Sequence, residues 1–345
     1  MKVPIDNETV TLLSGLLGST KKIVIVMHVN PDGDAMGACL ALYHSLLQLY
    51  PEQEVVMVSP NHYPAFLQWM DGANKILIFK DKRKIVKEKI IAADLIICLD
   101  FNALSRLEGL EELLLVSSAP RVLIDHHIQP KVEDFTLIFS NITVSSTSEI
   151  VYRLIKTIMP TPMPMSAAEA ILVGMMTDTN NFRDNASNPE TFEVLADLLR
   201  MGVDKEKVTA AVYDNFSPSR MKLLGYALEN MVMLPEYRAA YVALSLAELN
   251  RFNFQPGDTE SFVNYPLNIA KMKLSAYMSE QQDGSIRFSF RSRGDFSVSD
   301  FARKHFNGGG HRNAAGGRLT CSLKDATAFF VAQLENYKDE LLSPL

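Results

Sequence analysis

Short apolar runs alternate with helix-like segments through the first half of the chain, and this alternation limits the folds open to it. The longer runs cover residues 22–27 and 93–99, and runs of four residues cover 55–58, 76–79 and 121–124. Apolar runs of this length, bounded by turn-forming residues, are typical of buried strands. Strands that alternate with helices form a parallel, doubly wound sheet, so we predict an α/β fold.

Acids and histidines follow these runs. The residues concerned, in chain order, are His28, Asp32, Asp34, Asp100, Asp125, His126 and His127, and Asp178 after a further apolar run over 170–177. Doubly wound sheets bind ligands at the carboxyl ends of their strands. One acid at a strand end is often a helix cap or a turn former, and a lone pair of histidines there is often a surface feature. Four such ends in one domain predict a shared functional site.

The residue types at these ends suit a divalent metal. Imidazole and carboxylate ligands favour Mn²⁺ or Mg²⁺ over a metal that prefers thiolates. Pro31 and Gly33 force a tight turn, and the next helix begins at about Asp34, where its N-terminus favours an anion. Collecting so many carboxylates is costly unless cations neutralise them, because like charges repel and burial removes their hydration. We therefore predict two ions.

Composition limits the class of protein. A chain of 345 residues is too long for one ordinary core, so we expect two domains. No apolar run is long enough to span a bilayer, and the first eight residues lack the apolar core of a signal peptide. Three cysteines lie far apart, as buried thiols in a reducing compartment do. We expect a cytoplasmic protein that does not bind membranes.

The domain boundaries follow from changes in pattern. Ser146–Glu149 has the form of a capping box at a helix start, and the prolines of 159–164 end that helix. From about residue 236 the pattern alternates as strands do, with a turn at Asp283–Gly284. The expected domains are a catalytic domain over 1–190, a helical connector over 191–235 and a smaller α/β domain over 236–345.

A glycine-rich stretch lies in the second domain. Five of the 17 glycines of the chain fall within residues 308–317. Glycine lets backbone amides turn toward an anion, although a tight turn between domains also explains the pattern. Residues 284–318 hold seven basic side chains and two acidic ones, in a chain whose net charge is −6. This local excess predicts a patch for an anionic substrate.

The motifs together resemble those of a known family. The segment 28–35, with Asp100, Asp125-His126-His127 and Asp178, resembles the four motifs of the DHH phosphoesterase superfamily. The stretch ending in Gly-Gly-Gly-His, with Arg-Ser on a preceding strand, resembles the DHH-associated C-terminal domain. The subgroup with the greatest resemblance is that of bacterial bifunctional oligoribonucleases that also act on 3′-phosphoadenosine 5′-phosphate.

The resemblance implies a site with two Mn²⁺ ions, for which Mg²⁺ or Co²⁺ are possible substitutes. It implies that one ion is held by His28, Asp32 and Asp100. It implies a second ion held by Asp34, Asp100, His126 and Asp178. Asp100 would bridge the two ions. His127 would face the substrate phosphate or act as an acid, and Asp125 would orient an imidazole.

The resemblance also implies a substrate and the residues that bind it. Short single-stranded oligonucleotides would be cut to mononucleotides in a cleft between the two domains of one chain, and 3′-phosphoadenosine 5′-phosphate would give AMP. The resemblance also implies that the protein forms a homodimer. The implied phosphate-binding residues are Arg291, Ser292, Gly308, Gly309, Gly310 and His311. Arg106 could also reach a phosphate, or form a surface salt bridge.

Other interpretations remain open. An inorganic pyrophosphatase or exopolyphosphatase of the same superfamily is one, although the glycines before His311 argue against a pyrophosphatase. A non-catalytic nucleotide-binding protein is another, although every expected ligand is present. Phe288, Phe290 and Phe296 could stack on a base, although Phe288 and Phe290 are expected to pack in the core.

Overall fold

The computed structural model describes residues 7–344 of the chain. The chain divides between Asn215 and Phe216 into two compact units. Each unit is built around its own six-stranded sheet. None of the helices within residues 7–344 combines the length and the apolar character needed to cross a membrane.

A parallel sheet forms the centre of the first unit. Its strands are β1 (Lys22–Met27), β2 (Glu54–Ser59), β3 (Leu77–Ile78), β4 (Leu95–Leu99), β5 (Arg121–Asp125) and β6 (Leu137–Ser140). All neighbouring pairs are parallel, in the spatial order β3-β2-β1-β4-β5-β6. The chain builds outward from β1 to β3 and then returns to the other side of β1. The predicted doubly wound sheet is confirmed, and its strand order reverses between β1 and β4.

Helices cover both faces of this sheet. They are α1 (Asn7–Ser19), α2 (Gly33–Leu49), α3 (Phe79–Ile91), α4 (Glu111–Val116), α5 (Thr147–Ile158), α6 (Met165–Asp178), α7 (Pro189–Arg200) and α8 (Lys205–Tyr213). Alternate strand residues point to opposite faces. Ile23 and Ile25 therefore pack in one core with α1, α2, α5 and α6. Val24 and Val26 pack in another with α3 and α4.

The apolar run over 170–177 is helical, which corrects its grouping with the strand ends. It belongs to α6, and Asp178 is the last residue of that helix. A short apolar run has the same appearance in a buried strand and in a helix that is buried on all sides. Helix α6 packs closely on α2, because a Cβ atom at Gly37 would lie 2.5 Å from the carbonyl oxygen of Ala170. This close approach brings the end of α6 to the start of α2.

The second unit has a mixed sheet. Its strands are β7 (Val232–Leu234), β8 (Ala239–Leu244), β9 (Leu274–Glu280), β10 (Ile286–Ser292), β11 (Gly309–His311) and β12 (Ala314–Leu319). Its helices are α9 (Pro218–Glu229), α10 (Leu246–Arg251), α11 (Val298–His305), α12 (Leu323–Leu334) and α13 (Lys338–Leu342). The spatial order is β11-β12-β10-β9-β8-β7, and only the pair β8–β9 is parallel among these described strands.

Aromatic side chains dominate the core of the second unit. Phe288, Phe290 and Phe296 are all buried there, together with Phe301 and Phe330. Packing in the core is therefore confirmed for Phe288 and Phe290, and the suggestion that these side chains or Phe296 stack on a base is wrong. Phe288 and Phe290 stand on one face of β10, so the residues between them stand on the other face.

The helical segment expected between the two sheets is present, and its helices are divided between the units. Val194 of α7 and Val208 of α8 belong to the core of the first unit. Leu223 and Ala227 of α9 belong to a core of the second unit. The chain passes from one unit to the other between α8 and α9, just before Ser217-Pro218.

Candidate active site

Three neighbouring strands bring predicted site residues to one edge of the first sheet. His28 directly follows β1, Asp100 follows β4, and Asp125 is the last residue of β5. Strand β4 pairs with both β1 and β5, so these three carboxyl ends are adjacent. Side chains that are far apart in the sequence therefore meet where the strand order reverses.

Asp32 is the N-cap of α2. Its Oδ1 accepts hydrogen bonds from the backbone amides of Asp34 and Ala35, at 3.0 and 3.1 Å. The cap stops the turn through Pro31 and Gly33 at a defined point. It also places Asp34 in the first turn of α2, where the helix dipole favours a negative charge. Asp34 is buried, whereas the side chain of Asp32 is 56% exposed.

His28 faces Asp32 and Asp100. Its Nε2 lies 3.9 Å from Asp32 Oδ1 and 3.4 Å from Asp100 Oδ2. Its Nδ1 lies 2.8 Å from the carbonyl oxygen of Val29. Because a carbonyl oxygen only accepts hydrogen bonds, Nδ1 carries a proton, and a neutral ring then presents the lone pair of Nε2 to the acids. These three residues offer ligand atoms that all lie within 4.8 Å of one another.

His126 faces a second group of acids. Its Nε2 lies 3.8 Å from Asp34 Oδ2 and 3.4 Å from Asp178 Oδ2. Ligand atoms of these three residues also lie within 4.8 Å of one another. Asp100 Oδ1 is 3.6 Å from His126 Nε2, whereas Asp100 Oδ2 points to His28. Asp100 therefore lies between the two groups, with one carboxylate oxygen toward each.

The backbone at Asp100 is in the left-handed region, with φ of 64°. L-residues rarely adopt this conformation, although Asp tolerates it better than most. The Asp100 amide donates to the carbonyl oxygen of Ile124 at 3.0 Å, which ties this strained residue to β5. The strain therefore lies at the residue shared by the two groups, where strained backbone is often functional.

Helix α5 begins beside these acids, and its first two residues donate hydrogen bonds to Asp34 and Asp100. The backbone amides of Thr147 and Ser148 donate to the two carboxylate oxygens of Asp34, at 2.7 and 2.9 Å. Thr147 Oγ1 donates to Asp100 Oδ1 at 2.8 Å. First-turn amides have no partner within their own helix, so a carboxylate can take them up. Neither Thr147 nor Ser148 is predicted for the site from the sequence, where the polar start of the helix is their only signal.

The capping box predicted for α5 is half correct. Ser146 Oγ accepts from the Glu149 amide at 3.1 Å, as predicted. The buried Glu149 carboxylate instead accepts from the amide and Oγ of Ser145, at 3.0 and 2.6 Å, and from Thr191 Oγ1 at 2.8 Å. Burial would raise the pKa of Glu149, but hydrogen bonds from Ser145, Arg153 and Thr191 hold it below its usual value. The Glu149 carboxylate therefore fixes the start of α5 through its hydrogen bonds with Ser145 and Thr191.

His127 pairs with Asp125. His127 Nδ1 lies 2.6 Å from Asp125 Oδ1, and Asp125 is fully buried. Burial lowers the pKa of His127, but the hydrogen bond to Asp125 and the charge of Asp100 outweigh it and raise the pKa to about 9. The imidazole that Asp125 orients is therefore that of His127, whose Nε2 is left to face other groups.

The carboxylates of the two groups lie close together, and those of Asp34 and Asp100 are buried, so their negative charges are costly unless cations balance them. Burial, together with the charges of Asp100 and Asp178, raises the pKa of Asp34 well above its usual value. Burial lowers the pKa of His28, but Asp100 and Asp32 outweigh it and raise the pKa to about 10. Both shifts mean that the cluster takes up positive charge readily. Divalent cations would neutralise the same carboxylates.

The donor atoms fit divalent metal ions. Imidazole nitrogens and carboxylate oxygens face one another at 3.4–3.9 Å, which is longer than an ordinary hydrogen bond and leaves room between them. The ligands include no thiolate, so the set suits Mn²⁺, Mg²⁺ or Co²⁺. Asp125 Oδ2 is buried and has no hydrogen-bond partner within residues 7–344. Because buried polar atoms are normally paired, this oxygen indicates that a further polar group binds beside the cluster.

The predicted phosphate-binding residues of the second unit do not all share one face of the sheet. Arg291 of β10 pairs with Ala314 of β12, which pairs with His311 of β11. Directly paired residues share a face, so Arg291 and His311 lie in one row. Ser292 stands on the opposite, buried face. Its Oγ donates to the carbonyl oxygen of Phe296 at 2.7 Å and accepts from Asn313 Nδ2 at 2.8 Å.

The glycine stretch is a hairpin within the second unit, and it is not a turn between domains. Strands β11 and β12 pair directly, with the turn at Arg312 and Asn313. A Cβ atom at Gly308 would lie 1.8 Å from the carbonyl oxygen of Gly316, and one at Gly310 would lie 2.5 Å from that of Ala314. Close packing of the hairpin therefore requires Gly308 and Gly310, whatever they bind.

Arg106 lies in the first unit, in a short turn after β4, and its side chain is exposed. Its carbonyl oxygen accepts from the Val29 amide at 2.9 Å. The Arg106 backbone thereby supports the segment that follows His28. No ion pair of the Arg106 side chain is found within the part of the chain that the structure describes.

Two families match most of the chain. Residues 22–175 match the DHH family, N-terminal domain, and residues 237–338 match the DHHA1 domain. The crystal structure of an exopolyphosphatase-related protein from Bacteroides fragilis is 37% identical to this chain, with a TM-score of 0.94. That match covers 99% of this chain and 100% of the other.

Two bacterial proteins named bifunctional oligoribonuclease and PAP phosphatase NrnA are also similar. The protein from Bacillus subtilis is 27% identical over 301 residues, which are 86% of this chain and 89% of that protein. The protein from Thermus thermophilus is 28% identical over 326 residues, which are 92% of this chain and 90% of that protein.

Proposed function

The chain belongs to the DHH family of phosphoesterases, and we propose that it hydrolyses short oligonucleotides and small nucleotides. Linear dinucleotides and other short oligonucleotides would give mononucleotides, and 3′-phosphoadenosine 5′-phosphate would give AMP. The observation that carries the proposal is the position of Asp100. Its two carboxylate oxygens face two separate groups of His and Asp ligands. The similarity to the two oligoribonucleases supports the choice of substrate.

The residues fit two divalent ions, and we propose Mn²⁺ for both. One ion would be held by His28, Asp32 and Asp100. The other would be held by Asp34, Asp100, His126 and Asp178. Such a pair of ions, when bound, lowers the pKa of a water molecule and neutralises charge on phosphoryl oxygens.

Residues of the first unit would orient the metal ligands and donate a proton to the leaving group. The amides of Thr147 and Ser148 hold the Asp34 carboxylate in one orientation. The Asp125 carboxylate binds His127 Nδ1, so the proton available for transfer is on Nε2. Burial lowers the pKa of His127, but its hydrogen bond to Asp125 raises that pKa and so favours the imidazolium form. The ring would donate the Nε2 proton to the leaving oxygen of the substrate.

Residues of the second unit would bind the substrate. Arg291 and His311 lie in one row on the sheet and present cationic or hydrogen-bonding groups to a phosphate. Ser292 would act indirectly, because its hydroxyl is bonded to Phe296 and Asn313 and thereby fixes the hairpin.

A substrate panel with Mn²⁺ tests the proposal. It contains a 5′-phosphorylated dinucleotide, a longer RNA, 3′-phosphoadenosine 5′-phosphate and pyrophosphate. We expect hydrolysis of the dinucleotide and of 3′-phosphoadenosine 5′-phosphate, with slower turnover of the longer RNA. Asp100→Asn should abolish all of these activities because it removes the shared carboxylate. Hydrolysis of pyrophosphate alone would contradict the proposal.

A second candidate is an exopolyphosphatase. The observation that favours it is the 37% identity to the exopolyphosphatase-related protein from Bacteroides fragilis. Adding inorganic polyphosphate to the same panel separates the two candidates. Turnover of polyphosphate without turnover of any nucleotide would select this second function.

A further inference from the structure

One face of the sheet in the second unit is open beside β10, β11 and β12. Along β10 the buried residues alternate with Arg287, Ser289 and Arg291, which are exposed or half-buried. The buried face packs under α11 and the aromatic core. The opposite face of these three strands, which we call the open face, therefore has Arg287, Ser289 and Arg291 as its central line.

The open face holds two rows of polar or charged residues across the strands. The first row contains Arg291 and His311, through Ala314. The second contains Arg287 and Arg318, which are direct partners across β10 and β12. Arg287 and Arg291 are four residues apart on one strand, so the rows are about 13 Å apart at the usual rise of a strand. The second row has no role in the function proposed above.

The second row places two positive charges directly opposite each other. Like charges in this arrangement destabilise a sheet. Arg318 Nη1 has a partner in Asp283 Oδ2 at 3.5 Å, but both side chains are more than half exposed, so this ion pair is weak. Arg287 has no ion pair within residues 7–344. An anion bound by both guanidinium groups would remove their repulsion.

The floor between the rows carries only the small side chain of Ser289 and two glycines that packing does not require. Gly309 and Gly316 are direct partners on the open face, in line with Ser289. A Cβ atom at Gly309 would meet nothing within 4 Å, and one at Gly316 would only reach the carbonyl oxygen of Phe288 at 3.4 Å. Folding therefore permits a side chain at both positions. Their absence leaves a smooth surface between two cationic rows.

We propose that Arg287 and Arg318 bind a second phosphate of an oligonucleotide whose other phosphate is bound by Arg291 and His311. The nucleotides between these phosphates lie over Gly309, Gly316 and the small Ser289 side chain, where a sugar or a flat base needs a surface without bulky side chains. This inference rests on the proposed function and extends it. The preference of the enzyme among short oligonucleotides would then depend on contacts with phosphates beyond the first.

Kinetics on two 5′-phosphorylated RNA oligonucleotides, of two and of five nucleotides, test this proposal in the Mn²⁺-loaded enzyme. The variant Arg287→Gln/Arg318→Gln should raise KM for the pentanucleotide on the order of five- to tenfold more than KM for the dinucleotide. The slope of log(kcat/KM) against log[salt] for the pentanucleotide should become shallower by about 0.7 for each phosphate that the variant no longer binds. Arg287→Lys/Arg318→Lys should restore most of the salt dependence, because it keeps the charges.

The matched control is Arg303→Gln. Arg303 is also an exposed arginine of the second unit, but it lies on α11, which packs on the buried face, and it pairs with Asp300 at 3.0 Å. Gly309→Val adds a second test, since the space around Gly309 admits the side chain and a strand favours it. This variant should keep the wild-type melting temperature and lose affinity for the pentanucleotide.

The outcomes separate this proposal from the function on which it rests. An unchanged ratio of the two KM values in Arg287→Gln/Arg318→Gln would overturn the second phosphate site while leaving the proposed function intact. An equal change in Arg303→Gln would overturn it as well, because the effect would then be one of net charge. A wild-type enzyme that hydrolyses neither oligonucleotide would overturn the proposed function, and this inference with it.

Discussion

Thr147 Oγ1 donates a hydrogen bond to Asp100 Oδ1 at 2.8 Å, and both side chains are buried. The Thr147 amide also donates to Asp34 Oδ2 at 2.7 Å. One residue at the start of α5 therefore orients carboxylates that belong to both groups of ligands. Such supporting hydrogen bonds keep ligands in the geometry that a metal requires.

Replacing Thr147 by Val should weaken the site without unfolding the chain. Valine keeps the backbone amide and the approximate shape, but it removes the hydroxyl that orients Asp100. We expect Mn²⁺ affinity and kcat each to fall by about 10- to 100-fold. Metal titration followed by calorimetry measures the first effect, and steady-state kinetics measure the second. Thr147→Ser keeps the hydroxyl and should recover most of both. A Ser variant as impaired as the Val variant would contradict the orienting role.

Gly174 of α6 lies directly against Ser148 and the Asp34 carboxylate. A Cβ atom there would be 1.9 Å from Ser148 Oγ and 2.8 Å from Asp34 Oδ1. Gly174→Ala should therefore destabilise the first unit by about 1–3 kcal/mol and reduce activity at least tenfold. Urea denaturation and kinetics measure these effects. The matched control is Gly225→Ala on α9, which has no atom within 4 Å of the added Cβ and should be neutral or stabilising. A Gly174→Ala variant with normal activity would show that Asp34 can move without loss.

The buried carboxylate of Glu149 should make the first unit sensitive to acid. Its pKa is lower in the folded chain than in the unfolded chain, where it is about 4.3. Ionised Glu149 therefore stabilises the fold above that value, and the contribution is lost as the pH falls through the folded-state pKa. Glu149→Gln should cost about 1–3 kcal/mol at pH 7, because the amide places a donor against the donors of Ser145.

The corresponding measurement is the urea midpoint of the wild type and of Glu149→Gln between pH 3 and 8. The two curves should be separated at neutral pH and should approach each other below about pH 4.3. A constant separation across the whole range would mean that the Glu149 charge contributes nothing. The variant Glu88→Gln, at an exposed position of α3, should match the wild type throughout.

Asp125 should set the pH range in which His127 acts. Burial lowers the pKa of His127, whereas the hydrogen bond from its Nδ1 to Asp125 and the negative charges of Asp100 and Asp125 raise it to about 9. Asp125→Asn removes the charge, so the pKa should fall and the protonated acid should be lost at lower pH. We expect kcat to fall by about 10²-fold near pH 8 and less at pH 6, so the basic limb of the profile moves to lower pH.

A pH–rate profile for Asp125→Asn, together with an NMR titration of His127, tests this. His62→Gln is the control, because His62 is exposed and pairs with Asp81 away from the ligands. Its profile should match that of the wild type. A uniform loss of kcat in Asp125→Asn, with no shift along the pH axis, would mean that Asp125 acts on structure and not on the proton of His127.

The sequence is sufficient to predict the strands that end at His28, Asp100 and Asp125, because a buried parallel strand leaves a continuous apolar run with polar residues at its end. It also predicts the start of α2, since Asp32 and the residues around it form a local cap. Local chemistry of this kind lies within a few neighbouring residues. It can therefore be read without knowledge of the tertiary structure.

Interactions between distant residues could not be predicted in the same way. The hydrogen bond from Thr147 to Asp34 spans 113 positions, and nothing local to either residue specifies it. The hairpin at Gly308 and Gly310 could not be predicted for a related reason, because the carbonyl groups that exclude a Cβ atom come from the partner strand. The helical state of the run ending at Asp178 depends on burial by α2 and α5, which periodicity alone does not show.

The ligands gathered where the strand order reverses also constrain how this protein matures. His28 comes early in the chain and Asp178 lies 150 residues later, so partial synthesis yields incomplete coordination. Pairings of such long sequence separation form late, because they require loop closure first. Metal capture should therefore report completion of the first unit as far as α6. A nascent chain from which α6 has not yet emerged would be poorly able to compete for a divalent metal ion.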